Sequence, residues 1–352
     1  MRYKQRIKAS IVSLGDIAKA AGISTPAAGY ALRNAPGVSK ATRERVQAIA
    51  KKMGYTPDAR MSMVMSAVRS ADQKELLPIA WLNNNWNKHA WSQLRFLSPY
   101  MEGATARALQ LGYRIEEIWL REPGMTNNRV SKMLYQRGIG GAIFTQHKMH
   151  MKLKWENLSC VCLEGAPFMS GVHRILTDVV SNFLLAMKML KRSGYRRIGV
   201  CLDDYVDRKI NHGIRALVPY LEAASPKLKP VPPFFYRGEL NEEWQPYKGK
   251  IISWLKRHKP EVVIVHSNRL LDCIKEAGFR VPEEMGVVHL ATDDDVSDWA
   301  GIHSKRRQMG AAAVEMVVSL MQQGQHGLSD TSYDILVRGC WSPGRTLLVP
   351  KS

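Results

Sequence analysis

The sequence predicts a small all-α helix-turn-helix head followed by an α/β body of two doubly wound parallel-sheet subdomains. Three observations carry that expectation. First, charge and aromatic residues are unevenly spread. The 352-residue chain has a formal net charge of +20. Its first 70 residues hold 13 basic and 3 acidic side chains, which is half of that excess, and no Trp or Phe; all nine Trp lie from Trp81 onward. Second, helix start and stop signals crowd residues 13–54. Third, from residue 77 to residue 291 apolar strand-like runs alternate with helical patterns. At roughly 100–200 residues per domain, the length allows two or three domains.

In the head, Ser13 precedes LGDIAKAA with Asp16 three residues on, a relative of the capping box. Leu14, Ile17, Ala18 and Ala21 mark its apolar face, and Gly22 supplies the left-handed position that stops a helix. Ser24 caps a second helix that opens Thr25-Pro26, where proline is tolerated because first-turn amides have no intrahelical partner. Ser39 caps a third, KATRERVQAIAKKMG, with Val46, Ile49 and Met53 expected inward. Helix, short glycine-containing turn and helix form the helix-turn-helix pattern. Such triplets also serve as protein-binding modules. A strongly basic head on a milder body is the electrostatic footprint of a polyanion binder.

In the body, strands are expected at LPIAWL, RIEEIWL, GAIFT, CVCLEG, RIGVCL, EVVIVHS and GVVHLA. Helices are expected at 98–111, MTNNRVSKMLYQRG, VVSNFLLAMKMLKRSG, 207–223, ISWLKRH and NRLLDCIKEAG. This alternation means parallel sheets covered by helices on both faces, and a series this long suggests two halves. The five cysteines are odd in number, show no CxxC pair and sit in apolar runs, so reduced buried thiols of a cytoplasmic protein are expected. No stretch approaches the roughly 18 apolar residues of a membrane span. The basic N-terminus lacks the apolar run and cleavage site of a secretory signal.

Ligands of α/β folds bind outside the carboxyl ends of parallel strands. Candidate positions are therefore Asn83, Asn84, Asn85, Asp178, Asp203, Asp204, Ser267, Asn268 and Asp293–Asp295, with Trp86 and Trp91 as an aromatic platform. Amides and carboxylates beside an aromatic ring suit a sugar or polyol, although loop Asn and Asp are also common turn formers. No GxSxG elbow, P-loop or GxGxxG follows a strand. His147 and His150 read as surface residues and DDDVSD as a solvated loop, so no catalytic residue, metal or cofactor is expected.

The segments SLGDIAKAAGIS and GVSKATRERVQAIAKKMGYTPDAR, with MEGATARALQLGY, SGYRRIGVCL, AGFRVPEEMGVVHLA and RGCWSPGRTL in the body, resemble the lactose-repressor (LacI/GalR) family of bacterial transcription regulators over residues 12–350. The resemblance implies a helix-turn-helix at 1–57, a hinge helix and linker at 58–76, and an effector-binding, dimerising body at 77–352 of periplasmic-binding-protein-like fold. Its N-subdomain would hold about 77–175 and 303–328, and its C-subdomain about 176–302 and 329–350. It implies base contacts from Thr25, Pro26 and Tyr30, further DNA contacts from Ser24, Arg33, Thr42 and Arg43, and an apolar minor-groove wedge from Val64 in ARMSMVMSAVRS. A family effector-binding Arg falls on Ile210, with Arg208 the nearby substitute, and the usual Asn-Asp reads Ser267-Asn268. The effector set expected is Asn83, Asn85, Trp91, Asp178, Asp203, Arg208, Asn268 and Asp293. The implied protein is a homodimeric regulator, a repressor by default, on a pseudo-palindromic double-stranded DNA operator and switched by a small molecule. The rival readings are a solute-binding protein and an α/β enzyme.

Overall fold

Local hydrogen bonding sets the helices of the head. The Ser13 hydroxyl accepts the Asp16 amide at 3.2 Å while the Ser13 amide donates to the Asp16 carboxylate at 2.8 Å, a complete capping box that starts α1 (Leu14–Ala21). Gly22, at φ 65°, ends it. Helix α2 (Thr25–Leu32) follows after three residues, and Ser39 caps α3 (Lys40–Lys52) by accepting the Thr42 amide at 3.3 Å. The core of the head is Ile17, Ala18, Ala21, Ala28, Ala31, Val46 and Ala50, mostly alanine, so the three short helices lie close. Met53, expected inward, is the partly exposed C-cap of α3; Ala50, one turn after Val46, takes the inner position instead.

The computed structural model describes residues 12–32, 38–55, 76–145, 153, 155–165, 170–237, 245–293 and 296–348. The chain divides into two units, Met1–Glu75 and Leu76–Ser352. The second unit runs β1 (Leu77–Asn83), α4 (Ala90–Gln93), α5 (Ser98–Gln110), β2 (Tyr113–Trp119), α6 (Asn127–Gln136), β3 (Gly141–Thr145), β4 (Ser159–Leu163), β5 (His173–Thr177) and α7 (Val179–Arg192). It continues β6 (Ile198–Asp203), α8 (Asp204–Arg208), α9 (Gly213–Ala223), β7 (Phe234–Tyr236), α10 (Gln245–His258), β8 (Val262–Val265), α11 (Arg269–Glu276) and β9 (Gly286–His289). The last elements are β10 (Gly301–His303), α12 (Arg306–Gln322), β11 (Asp334–Val337) and β12 (Cys340–Ser342). Two six-stranded sheets result, ordered β11-β5-β4-β3-β1-β2 and β12-β10-β9-β8-β6-β7. Every described pairing is parallel except β10 with β12. The central strands are buried on both faces, which is why they read as unbroken apolar runs.

The chain passes between the sheets three times: after β5, through α12, and between β11 and β12. The third passage falls near residue 338, not at 328/329: β11 pairs with β5 in the first sheet, so the expected C-subdomain segment 329–350 begins too early. The tail then closes the second sheet. The Thr346 hydroxyl donates to the Val287 carbonyl at 2.7 Å and accepts the Ala300 amide at 3.0 Å.

Helix α12 shows little helical periodicity in sequence because most of its circumference is buried against the first sheet and α5. At Gly103 and Gly310 the α5 and α12 backbones approach so closely that an added Cβ would lie 1.9 Å from the Arg307 and Tyr100 carbonyl oxygens respectively. The helix expected over 207–223 is two helices, broken where Asn211 and His212 adopt φ 53° and 63°. Four cysteines are buried free thiols as expected, but Cys340 is exposed because it lies on the edge strand β12.

Candidate functional site

In the head, α2 has two contrasting sides. Ala28, Gly29 and Ala31 are buried, whereas Ser24, Thr25, Pro26 and Tyr30 are exposed. The Ser24 hydroxyl accepts the Ala27 amide at 3.4 Å, which orients the first turn. Thr42 and Arg43, in the first turn of α3, are half-buried: the Thr42 hydroxyl lies 2.9 Å from that of Ser39, and the Arg43 guanidinium donates to the Val38 carbonyl at 3.4 Å. Lys19, Lys40, Arg45, Lys51 and Lys52 are exposed around this core. Arg33 and Val64 lie outside the described residues.

In the body, several residues expected to bind a ligand have other work. The Asn83 side chain is fully buried and saturated: its amide donates to Glu117 at 2.7 Å and to the Lys88 carbonyl at 3.0 Å, and its oxygen accepts the Asn85 amide at 2.8 Å. Asn85 repeats the turn by accepting the Asn87 amide at 3.3 Å. Trp91 is no open stacking platform, because its ring is buried edge-on against Trp81 and Tyr100, with centroids 4.9 and 6.2 Å away. Trp86 is exposed and carries the Arg121 guanidinium 3.6 Å above its ring. Asp178 caps α7 through the Ser181 amide at 3.0 Å and pairs with Arg338 at 3.2 Å. Burial pushes its carboxyl up, but those partners outweigh burial and hold it below the ordinary range. Asp203 caps α8 through the Tyr205 amide, Arg208 pairs with Asp204 at 3.2 Å, and Asn268 is an exposed residue at the start of α11. Asp294, Asp295, His147 and His150 lie outside the described residues.

Asp293 leads to the constellation that the structure does assemble. It is buried, its Oδ1 accepts the Ser304 amide at 2.9 Å, and its Oδ2 lies 3.1 Å from Nε of Arg306, the first residue of α12. The Arg306 guanidinium stands 5.8 Å from the ring centroid of Tyr100 on α5. The Tyr100 hydroxyl lies 3.5 Å from Glu164, which follows β4. Glu164 also accepts the Thr177 amide at 3.1 Å and the Thr177 hydroxyl, while its other oxygen meets Lys209 Nζ at 3.6 Å. Glu164 adopts φ 56°, an unusual conformation for a non-glycine residue and one that clusters at functional sites.

The set spans both subdomains: Glu164 follows β4 and Thr177 ends β5 of the first sheet, whereas Lys209 follows α8, and His266 and Asp293 come after β8 and β9 of the second sheet. His266 stacks on His289 with centroids 5.8 Å apart. His266 is exposed on one side; the protein packed around the rest of its ring, then the Lys209 and Arg306 charges, lower it from the ordinary histidine value. Burial and the neighbouring His266 push His289 down to about 3. Burial, with Glu164 next, raises the Tyr100 phenol well above its ordinary value. Of these residues the sequence nominated only Asp293. Glu164 and His266 carry the same after-strand signal; Tyr100, Lys209 and Arg306 have no local signal.

A helix-turn-helix head followed in the chain by two doubly wound halves is the arrangement of a DNA-binding regulator, and the comparisons agree. Residues 13–58 match the bacterial regulatory proteins of the lacI family, and residues 187–339 match the periplasmic binding protein-like domain. The chain is 20% identical over 343 residues to the HTH-type transcriptional repressor PurR of Vibrio vulnificus, covering 90% of this chain and 94% of that protein. It is likewise 20% identical over 332 residues to PurR of Vibrio cholerae, with 90% and 93% covered. Among solved structures, the transcriptional regulator CelR–cellobiose complex superposes with a TM-score of 0.58 at 16% identity, covering 95% of this chain and 99% of that one. The lac repressor dimer bound to operator and the anti-inducer ONPF gives 0.56 at 18%, covering 96% and 99%. Residues 13–58 carry the helix-turn-helix of the lacI-family bacterial regulatory proteins, and the chain is a DNA-binding regulator of that type. Among the described residues, no helix is long and apolar enough to cross a membrane.

Proposed function

We propose that the protein represses transcription as a homodimer on a pseudo-palindromic operator, and that a sugar or related polyol bound in the cleft of the body switches it. The observation that carries the DNA half is the division of α2: small buried residues fix it to the head and leave Ser24, Thr25, Pro26 and Tyr30 on the outside. Thr25, Pro26 and Tyr30 read base edges in the major groove, Pro26 through apolar contact alone; Ser24, Thr42 and Arg43 hold phosphates. Arg33 and the Val64 wedge belong to the same reading as expectations from sequence. Two-fold symmetry of the protein is mirrored in the operator.

The Glu164–Lys209 and Asp293–Arg306 ion pairs support the switch, because each joins one subdomain to the other. A ligand that binds one degree of closure better than the other shifts the population. The complexes of CelR with cellobiose and of the lac repressor with ONPG support a sugar.

The test is capture of genomic DNA fragments by the purified full-length chain, followed by titration of the best site over a salt series. Site-specific binding should be tighter than binding to random DNA by at least about 10³-fold and should fall steeply with salt. Tyr30→Ala should weaken the specific site by roughly tenfold or more while leaving the salt slope unchanged. Weak, sequence-blind binding at every salt concentration, with or without cell extract, would overturn the proposal.

A further inference from the structure

We infer that one end of the body, where the strands of the second sheet begin, is a phosphate-binding surface for a stretch of double-stranded DNA beyond the one that the head reads. It holds whether or not the cleft takes a ligand.

Three turns meet at that end: KRSGYRR (191–197) before β6, PKLKP (226–230) before β7 and KRHKP (256–260) before β8. Hydrogen bonds tie them together. The Lys229 amide donates to the Arg196 carbonyl and the Glu261 amide to the Arg197 carbonyl, both at 2.9 Å. The Arg197 guanidinium donates to the His258 carbonyl and, at 3.3 Å, to that of Lys259. Lys191 Nζ donates to the Ser225 hydroxyl at 2.7 Å.

The three turns hold nine Lys and Arg and no Asp or Glu. Beyond residue 70 the chain has 38 basic and 28 acidic side chains, so these turns alone carry about as much net charge as that whole stretch. The adjoining carboxylates do not face the cations. Glu261 accepts the Arg196 and Arg197 amides at 2.6 and 3.0 Å, and Glu222 accepts the Val231 amide at 3.0 Å. The turn before β9 adds Arg280, Glu283 and Glu284, of which Arg280 and Glu284 pair at 3.2 Å. Among the described residues none of the nine cations forms an ion pair, whereas Arg174, Arg215, Arg306 and Arg338 of the same body each meet a carboxylate.

Helix ends account for part of the cluster. Lys191, Arg192, Lys256 and Arg257 lie in the last turns of α7 and α10, where the helix dipole stabilises a cation. Arg196, Arg197, Lys227, Lys229 and Lys259 lie outside any helix and have no such support. Arg196 and Arg197 are half-buried, and the other seven cations are exposed. Like charges in adjoining turns repel, and a polyanion that displaces their counterions relieves the repulsion.

The chemistry favours a duplex over a protein partner. Protein interfaces centre on buried aromatic or apolar anchors, and no exposed large apolar side chain lies in these three turns. Phosphates need only Lys and Arg, and such contacts carry no sequence information.

The test is lysine acetylation of the full-length chain, read residue by residue by mass spectrometry at low salt, with and without a short random-sequence duplex. Lys227, Lys229, Lys256 and Lys259 should react several-fold more slowly with the duplex, and the protection should vanish as salt rises. Lys88 and Lys132, exposed on the first subdomain, should react at an unchanged rate. Lys227→Gln with Lys229→Gln should release Lys256 and Lys259 from protection, whereas Lys227→Arg with Lys229→Arg should keep it. Both positions are exposed, so neither pair threatens the fold.

No protection of the four lysines, or equal protection of Lys88 and Lys132, overturns the inference. So does protection by polyglutamate or by phosphatidylserine vesicles that equals the protection by duplex at the same charge concentration. Lys19, Lys40, Lys51 and Lys52 report on the head in the same spectra, so their failure to be protected counts against the head as a DNA reader and not against this surface.

Discussion

Head and body both bury apolar cores, but only the body buries charge among the described residues. Among the described residues of the head, every buried side chain is apolar, and its helix caps find their partners three residues away. The body buries Asp178, Asp204, Asp207 and Asp293, and some of their partners are distant in sequence, as Arg338 is from Asp178. The head leaves its polar side chains at the surface, whereas the body ties buried carboxylates to arginines, as Asp207 to Arg215 and Asp293 to Arg306.

The largest expected effect comes from one of the two tightest glycine contacts among the described residues of the body. Gly310→Ala would place a methyl group 1.9 Å from the Tyr100 carbonyl and should cost about 3 kcal/mol or more. Because all nine Trp lie in the body, tryptophan fluorescence follows the body alone; its thermal midpoint should fall while specific DNA binding below that midpoint persists. Asp207→Ala should cost about 3 kcal/mol, since it strands the Ile214 and Arg215 amides and removes one of the two carboxylates that meet the Arg215 guanidinium. Chemical denaturation read by fluorescence measures it, and a loss near zero would break the claim that the body depends on buried charge.

Acid should separate the two units. The first histidine in the chain is His89, so the head has none. Burial pushes His289 down to about 3 against an ordinary 6.5, so below pH 6.5 the unfolded chain takes up a proton that the native body refuses. The stabilisation is complete above pH 6.5 and is lost progressively as pH falls from there toward about 3. The fluorescence midpoint should therefore fall from pH 7 to pH 5, and His289→Gln should flatten that slope. The smallest effect belongs to the head: Ser13→Ala removes half of the capping box and should cost about 1 kcal/mol, visible in the helical circular dichroism signal but not in fluorescence.

What could be read in the sequence divides along the same line. Ser13, Gly22, Ser24 and Ser39 mark the helices of the head because a cap and its partner lie within four residues of each other. The central strands of the body announce themselves through burial on both faces. Strand β5, with His173 and Arg174, and the exposed edge strand β11 carry no such run. Helix α12 hid because burial on most sides erased its periodicity. Asn83 and Trp91 were read as ligand groups from position alone, and only the fold shows the turn and the core that claim them. Tyr100, Glu164, Lys209 and Arg306 become neighbours only after both sheets exist.

The late return of the chain to both sheets has a consequence for the gene. A frameshift or stop codon just before residue 334 would leave more than nine-tenths of the protein translated, yet strip β11 from one sheet and β12 from the other, and with them the Thr346 stitch on β9. Neither half could be inherited intact without the other.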